Sequence, residues 1–231
     1  MFFSNIYLIL TVDMGVPIGV QIEERYRSVS LLLKTIYYGE LIMTNFIQHT
    51  IESAPEASRP LLEGAQQAFG FVPNLLSTIS ESPSSLKSYL EVASIFEASS
   101  LTGAEQQIVL LVASIENSCE YCVAAHSVIA KNLVKVDAEI VNSLRNLQPI
   151  ADAKLNILAE FTRSVVRERG FVSEQQLGVF LGVGYSRENA LDIVVGVAQK
   201  TISNYSNHLA NIPVDSQFAA EAWSAPTSKA A

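Results

Sequence analysis

The stretch ENSCEYCVAAHSVIAKN (116–132) holds both cysteines of this chain, Cys119 and Cys122, and one of its three histidines, His126. On a helix, positions 119, 122 and 126 fall at i, i+3 and i+7 and form one stripe, with Cys122 and His126 one turn apart. A helix opening near Ser118 would aim free backbone N–H groups at Cys119, where the positive end of its dipole favours thiolate. His126 is placed to hold or relay the proton of Cys122. Glu120, between the cysteines, works modestly against thiolate formation. Together these are the parts of a dithiol centre: one activated thiol to attack, and a second beside it to resolve the product as a disulfide.

Two other readings use the same residues. Free cysteine packs as a small buried hydrophobe, so the pair and a satisfied histidine could be core alone. Zinc prefers four ligands, and Cys119, Cys122 and His126 supply three, leaving His208 or Glu116 to complete the shell. A C-x-x-C at a helix start fits redox work better than either, so no metal and no cofactor are expected.

The elements that must position this stripe read as helix after helix from Met43 onward. Pro60 suits a first turn, and PLLEGAQQAF runs from it to Gly70. GFVPNLLSTISESP gives a turn, a short helix from about Asn74 and a stop at Pro83. Ser84 to about Ala98 carries Leu86, Leu90, Ala93 and Phe96 at helical spacing. Thr102 and Glu105 form a capping box ahead of the apolar run IVLLVASI, the pattern of a central core helix. The cysteine helix then extends to about Leu133. Asp137 starts another helix, Asp152 to Arg169 is amphipathic with a stop at Gly170, and Ser173 with Gln176 makes a second box. Ser186 opens the last long helix, which ends before Pro213.

No alternating strands or hairpin signals appear. The expected fold is all-α, a compact antiparallel helical bundle with the C-x-x-C at the start of a core helix. The single domain is placed at 43–220, with 1–42 as an extension or a misplaced start and 221–231 as a loose tail. A weak internal echo sets SNYSNHLAN beside SCEYCVAAH, with Asn204 and Asn207 in place of the cysteines. Tyr205, Asn207 and His208 in that copy are candidates to line a pocket.

Composition bounds the function. Hydrophobic residues make up 49% and charged residues 16%, a globular balance that supports a sizeable core. The net charge of −8, with no basic cluster, argues against nucleic acid and anionic lipid as partners. FFSNIYLILTV (2–12) is too short to span a bilayer and lacks the basic flank and cleavage site of a signal peptide. Two cysteines make no disulfide framework, which points to a reducing cytoplasm.

LTGAEQQIVLLVASIENSCEYCVAAHSVIAKN resembles the alkylhydroperoxidase-like (AhpD-like) branch of the carboxymuconolactone decarboxylase superfamily, marked by C-x-x-C-x-x-x-H after an apolar helix. GFVPNLL (70–76) and NYSNHLA (204–210) are similar to its peroxidase-related members, and the resemblance covers roughly 43–220. It implies a homo-oligomer (dimer, trimer or hexamer) that reduces hydroperoxides and is recycled by a thiol or dithiol reductant. By it, Cys122 attacks the peroxide, Cys119 resolves, and His126 belongs to a proton relay. The family's relay glutamate usually lies twelve residues before the first cysteine, where this chain has Gln107. Glutamine cannot ionise, so the relay carboxylate is expected at Glu116 instead. The competing functions are lactone decarboxylation, which needs acid–base residues and no thiols, and a redox sensor that oxidises once without turnover.

Overall fold

The computed structural model describes residues 45–225, all but the first of them within the unit Phe46–Ala231. The whole 1–42 extension and residues 226–231 of the tail lie outside the described residues. Helix α1 (Arg59–Phe69) has proline in its first turn and stops on Gly70, whose φ of 79° is the left-handed conformation that glycine adopts without strain. Then come α2 (Asn74–Ile79) and α3 (Pro83–Glu97), the latter capped by the Ser82 hydroxyl accepting from the Ser85 N–H. Helix α4 (Gly103–Glu116) opens on the Thr102/Glu105 box, which forms with both reciprocal bonds. Helix α5 (Glu120–Val128) continues as a π-helical turn, Ile129–Val134. Asp137 caps α6 (Ala138–Arg145) and Asp152 caps α7 (Ala153–Arg167). Capping boxes open α8 (Glu174–Gly182, Ser173 with Gln176) and α9 (Arg187–Ala210, Ser186 with Asn189). No strand occurs among the described residues, so the chain is all-α as expected.

Helix α4 is buried on nearly every side, as its unbroken apolar run requires, and packs against α7, α9 and α5. One core lies around α4, α7 and α8, where Phe161, Phe180 and Tyr185 stack with ring centroids 4.2 and 4.6 Å apart. A second core joins Leu62, Leu75, Leu76, Leu86 and Phe218 to Tyr121 and both cysteines. The dithiol therefore sits in a packed interior.

Two boundaries differ from the sequence reading. Ser118 does not cap α5: its φ is 55°, and it is the left-handed residue that ends α4. Its N–H reaches Ile115 O at 2.9 Å while the next N–H, of Cys119, reaches Ser114 O at 2.9 Å, the paired bonds of a Schellman turn. An N-cap needs extended backbone, so that place passes to Cys119 (φ −87°, ψ 93°). The tail also holds on longer than expected. Glu221 closes a 3-10 turn, Ser216–Glu221, and pairs with Lys131 at 2.9 Å, and the Trp223 indole N–H donates to Arg145 O at 3.0 Å. The loose tail cannot begin at 221, because those two side chains tie the segment to α6 and the π-helical turn.

Candidate active site

Cys119 at the N-cap and Cys122 in the first turn of α5 are both free thiols, and both are buried. Cys122 faces α9. Its Sγ is 3.9 Å from Ser203 Oγ, and Asn204 and Cys119 also lie beside it. Burial alone would raise its pKa. The Cys119 hydrogen bond, the Lys200 charge and the neighbouring Ser203 and Asn204 side chains outweigh burial and bring the Cys122 thiol down to about 6. Cys119 moves the opposite way, because its thiol donates a hydrogen bond to Cys122 and is itself desolvated. The two shifts favour thiolate on Cys122 and a retained proton on Cys119.

Lys200 is the residue that sequence reasoning missed. It stands in the middle of α9, is only 1% exposed, and its ammonium lies 2.9 Å from His126 Nε2. Burial disfavours its charge, but Cys122, Tyr89 and Cys119 outweigh that and hold the ammonium above its ordinary range. A signal for it existed. Ile193, Gly196, Lys200, Ser203 and Asn207 are all buried at spacings of three and four along α9, so the lysine lies on the inward stripe. Lysine is almost never fully buried without a charge partner, and Cys122 is the group that most favours its charge.

His126 is buried and engaged at both ring nitrogens: Nε2 faces Lys200, and Nδ1 faces Gln107 Oε1 at 3.0 Å. No hydrogen bond joins it to either thiol, so the proposed hand-over from Cys122 to His126 has no direct path. Desolvation and then the Lys200 charge push its pKa well below the ordinary histidine value. Glu116 is a correction to the sequence reading. Its carboxylate is taken by Arg163 Nε at 2.9 Å and by Arg167 Nε at 2.5 Å, both on α7, and it does not line the cavity. It ties α4 to α7, and it is free neither as a relay base nor as a fourth zinc ligand. Among the described residues no three histidine, cysteine, aspartate or glutamate side chains converge as a metal site.

Cys122, His126 and Lys200 line a cavity of about 420 Å³. Its other walls are mainly apolar, including Leu75, Leu76, Tyr89 and Phe96, so GFVPNLL does contribute to the site. Asn207 and His208 line a separate, more polar recess beside Ser118, and Tyr205 is exposed and lines neither. Asn204, from the internal echo, does reach the thiols and also accepts from Asn117 Nδ2 at 3.0 Å.

Residues 87–161 match the model of the carboxymuconolactone decarboxylase family. The fold is similar to the alkylhydroperoxidase AhpD core of an uncharacterized peroxidase-related protein from Ralstonia eutropha JMP134: 21% identity, TM-score 0.68, 75% of this chain and 93% of that one. A peroxidase-related protein from Silicibacter sp. TM1040 is similar at 19% identity and TM-score 0.64, over 76% and 94% of the two chains. So is a cysteine-to-alanine variant of the debrominase Bmp8 in complex with 2,3,4-tribromopyrrole, at 18% identity and TM-score 0.64, over 78% and 95%. Comparison with curated proteins finds no match. The segment that matches this family model carries both cysteines, and the helical fold around it is similar to that of the AhpD core.

Proposed function

We propose that this protein reduces organic hydroperoxides through the Cys119–Cys122 dithiol. The observation that carries the reading is a pair of buried free thiols at the start of α5, with Cys122 at the wall of an apolar cavity and the surroundings lowering its pKa while raising that of Cys119. The thiolate attacks the terminal peroxide oxygen, so an S–O bond forms as the O–O bond breaks. Sulfur loses two electrons, and the leaving alkoxide takes a proton to become an alcohol. Cys119 then attacks the Cys122 sulfenic acid, forming the disulfide and releasing water. An external thiol or dithiol reductant restores both thiols.

Mass spectrometry of the thiols before and after one equivalent of cumene hydroperoxide tests this. The expected result is an intramolecular Cys119–Cys122 disulfide, with sulfenic acid trapped on Cys122 in the Cys119→Ser protein. Unchanged thiols, or a sulfenate on Cys119 in Cys122→Ser, would overturn the assignment. Catalytic turnover with a dithiol separates an enzyme from a one-shot redox sensor.

A second reading follows from the aromatic walls at Tyr89 and Phe96. A small halogenated ring would fit the same cavity, with the dithiol supplying two electrons as halide leaves and a proton replaces it. Halide release without hydroperoxide consumption is its signature. Lactone decarboxylation is less well supported, because among the described residues the only carboxylate lining the cavity is the exposed Glu97.

A further inference from the structure

Both nitrogens of His126 are committed, and the identities of their partners fix which way each bond runs. Lys200 Nζ carries donors only when charged, so His126 Nε2 must accept at 2.9 Å. Nδ1 then carries the ring proton and donates to Gln107 Oε1 at 3.0 Å. A glutamine accepts that proton's hydrogen bond but cannot balance an imidazolium, and an ammonium on the other side opposes one. His126 is therefore held as the neutral Nδ1–H tautomer and has no vacant site for a thiol proton.

We infer that Lys200, not His126, is the acid–base group of this dithiol, and that His126 with Gln107 is a positioning pair that aims the ammonium. The inference rests on the dithiol reading above and assigns its proton carrier. At rest the Cys122 thiolate and the Lys200 ammonium form a neutral pair inside the bundle. When the thiolate attacks the hydroperoxide, the Lys200 ammonium gives its proton to the departing alkoxide and becomes an amine. The terminal oxygen keeps its own hydrogen as Cys122–SOH.

That amine now faces Cys119, whose thiol has kept its proton. Lys200 takes it, Cys119 sulfur attacks Cys122 sulfur, and the proton passes to the departing hydroxide to make water. Charge balances at each stage: the pair begins as thiolate and ammonium and ends as disulfide and neutral amine. Reduction by an external dithiol returns two thiols, and Cys122 reprotonates Lys200. This also accounts for Gln107. A carboxylate there would draw positive charge onto the imidazole, and the arrangement needs that charge on the lysine.

The groups facing Lys200 are Cys119, Cys122 and His126 from α5 and its N-cap and Tyr89 from α3. Gln107 reaches from α4 through His126, and among the described residues Glu97 is the one carboxylate lining the cavity. None of the others replaces the lysine's charge.

All the tests but the arginine one read protonation without any peroxide, so they can fail while the dithiol reading stands. In the Cys119→Ser background, thiolate absorbance at 240 nm and the iodoacetamide rate report Cys122 alone. Lys200→Met is expected to move the midpoint upward by more than one pH unit and slow alkylation at pH 7 by at least tenfold. His126→Gln, whose amide oxygen can still accept from Lys200, should leave the midpoint within about half a unit. Lys200→Arg separates charge from proton transfer, because arginine stays protonated; thiolate should persist while peroxide turnover falls at least tenfold. On the unaltered protein, nitrogen-15 spectra should show His126 neutral, with Nδ1 protonated, from pH 5.5 to 8. An imidazolium or an Nε2–H tautomer at pH 7 overturns the inference, as does His126→Gln shifting the midpoint as far as Lys200→Met, or full turnover with arginine.

Discussion

At the scale of single residues, the spacing of Cys119, Cys122 and His126 exposed the centre because three chemically distinctive side chains sit close in sequence. The partner across the bundle did not announce itself, since Lys200 is 74 residues from His126 in the chain. Gln107 was recognised as standing where a relay acid belongs, and the structure does set it against His126. Glu116 was assigned the vacant role from its nearness along the chain, but two arginines on α7 hold it. Glu116→Gln is accordingly expected to leave the iodoacetamide rate of Cys122 and peroxide turnover within about twofold. It should destabilise the fold by about 1–3 kcal/mol in urea denaturation, the range for losing hydrogen bonds to a charged group. Loss of turnover with unchanged stability would return Glu116 to the site. Acid should also weaken the fold. His126 and Cys122 both titrate below their ordinary values, so the unfolded chain binds more protons than the folded one from mildly acidic pH up to about 8.5. Stability then rises with pH over that window and turns down above it, where Cys119 keeps a proton that the unfolded chain loses. Denaturation midpoints between pH 5.5 and 8 should climb, although rising negative charge on a chain of net charge −8 pushes the other way. A flat or falling series would mean that Cys122 is not a thiolate.

At the scale of elements, the helices were legible because their start signals are local. Thr102 with Glu105 and Ser173 with Gln176 form the boxes that the sequence spells out. Ser118 was misread for a reason that sequence cannot show. The α4–α5 turn is too tight for a separate exit and entry, so the serine must finish one helix and leave the next to Cys119. This moves Cys119 from the helix body to its cap and turns its thiol toward Cys122 instead of into the stripe. The closeness of α9 to α3 and α4 is a second tertiary fact. A Cβ built on Gly196 would lie 2.7 Å from Phe96 Cζ and 2.9 Å from Val109 Cγ1. Helix propensity alone predicts that Gly196→Ala stabilises by about 1 kcal/mol. Overpacking costs about 1–3 kcal/mol, and neither a ring nor a β-branched side chain yields easily. The net expectation is a loss of about 1–2 kcal/mol, with slower Cys122 alkylation if α9 is displaced and Lys200 with it. A stabilised Gly196→Ala protein would show that the two helices separate at little cost.

At the scale of the whole molecule, the bundle closes over the dithiol only when the segment after Pro213 is in place. Composition made SAPTSKAA look like the end of a loose tail, and composition cannot reveal that Phe218 is buried against Tyr121 and Phe71 at centroid distances of 6.1 and 5.9 Å. Tyr121 in turn donates to Asp215 at 2.6 Å, and Asp215 accepts from the Asn74 N–H at the start of α2. The segment thereby ties α5 to the GFVPNLL wall of the cavity. A chain ended after Ala225 should melt as the full chain does, whereas one ended after Asp215 loses Phe218, the Lys131–Glu221 pair and the Trp223 bond together. Removing one buried phenylalanine costs about 3–5 kcal/mol, against a total stability of about 5–15 kcal/mol for a typical domain. The shorter chain should therefore melt at much lower temperature and leave Cys119 open to alkylation. A chain beginning at Met43 is proposed to keep its helical content and cooperative melting, because capped helices start after that residue. Trp223 is the sole tryptophan, so its fluorescence reports the C-terminal segment alone. In the full chain its emission should shift in the same thermal transition as the helical circular dichroism. A fluorescence change completed well below the loss of helix would mean that the segment detaches independently and that the cavity wall stands without it.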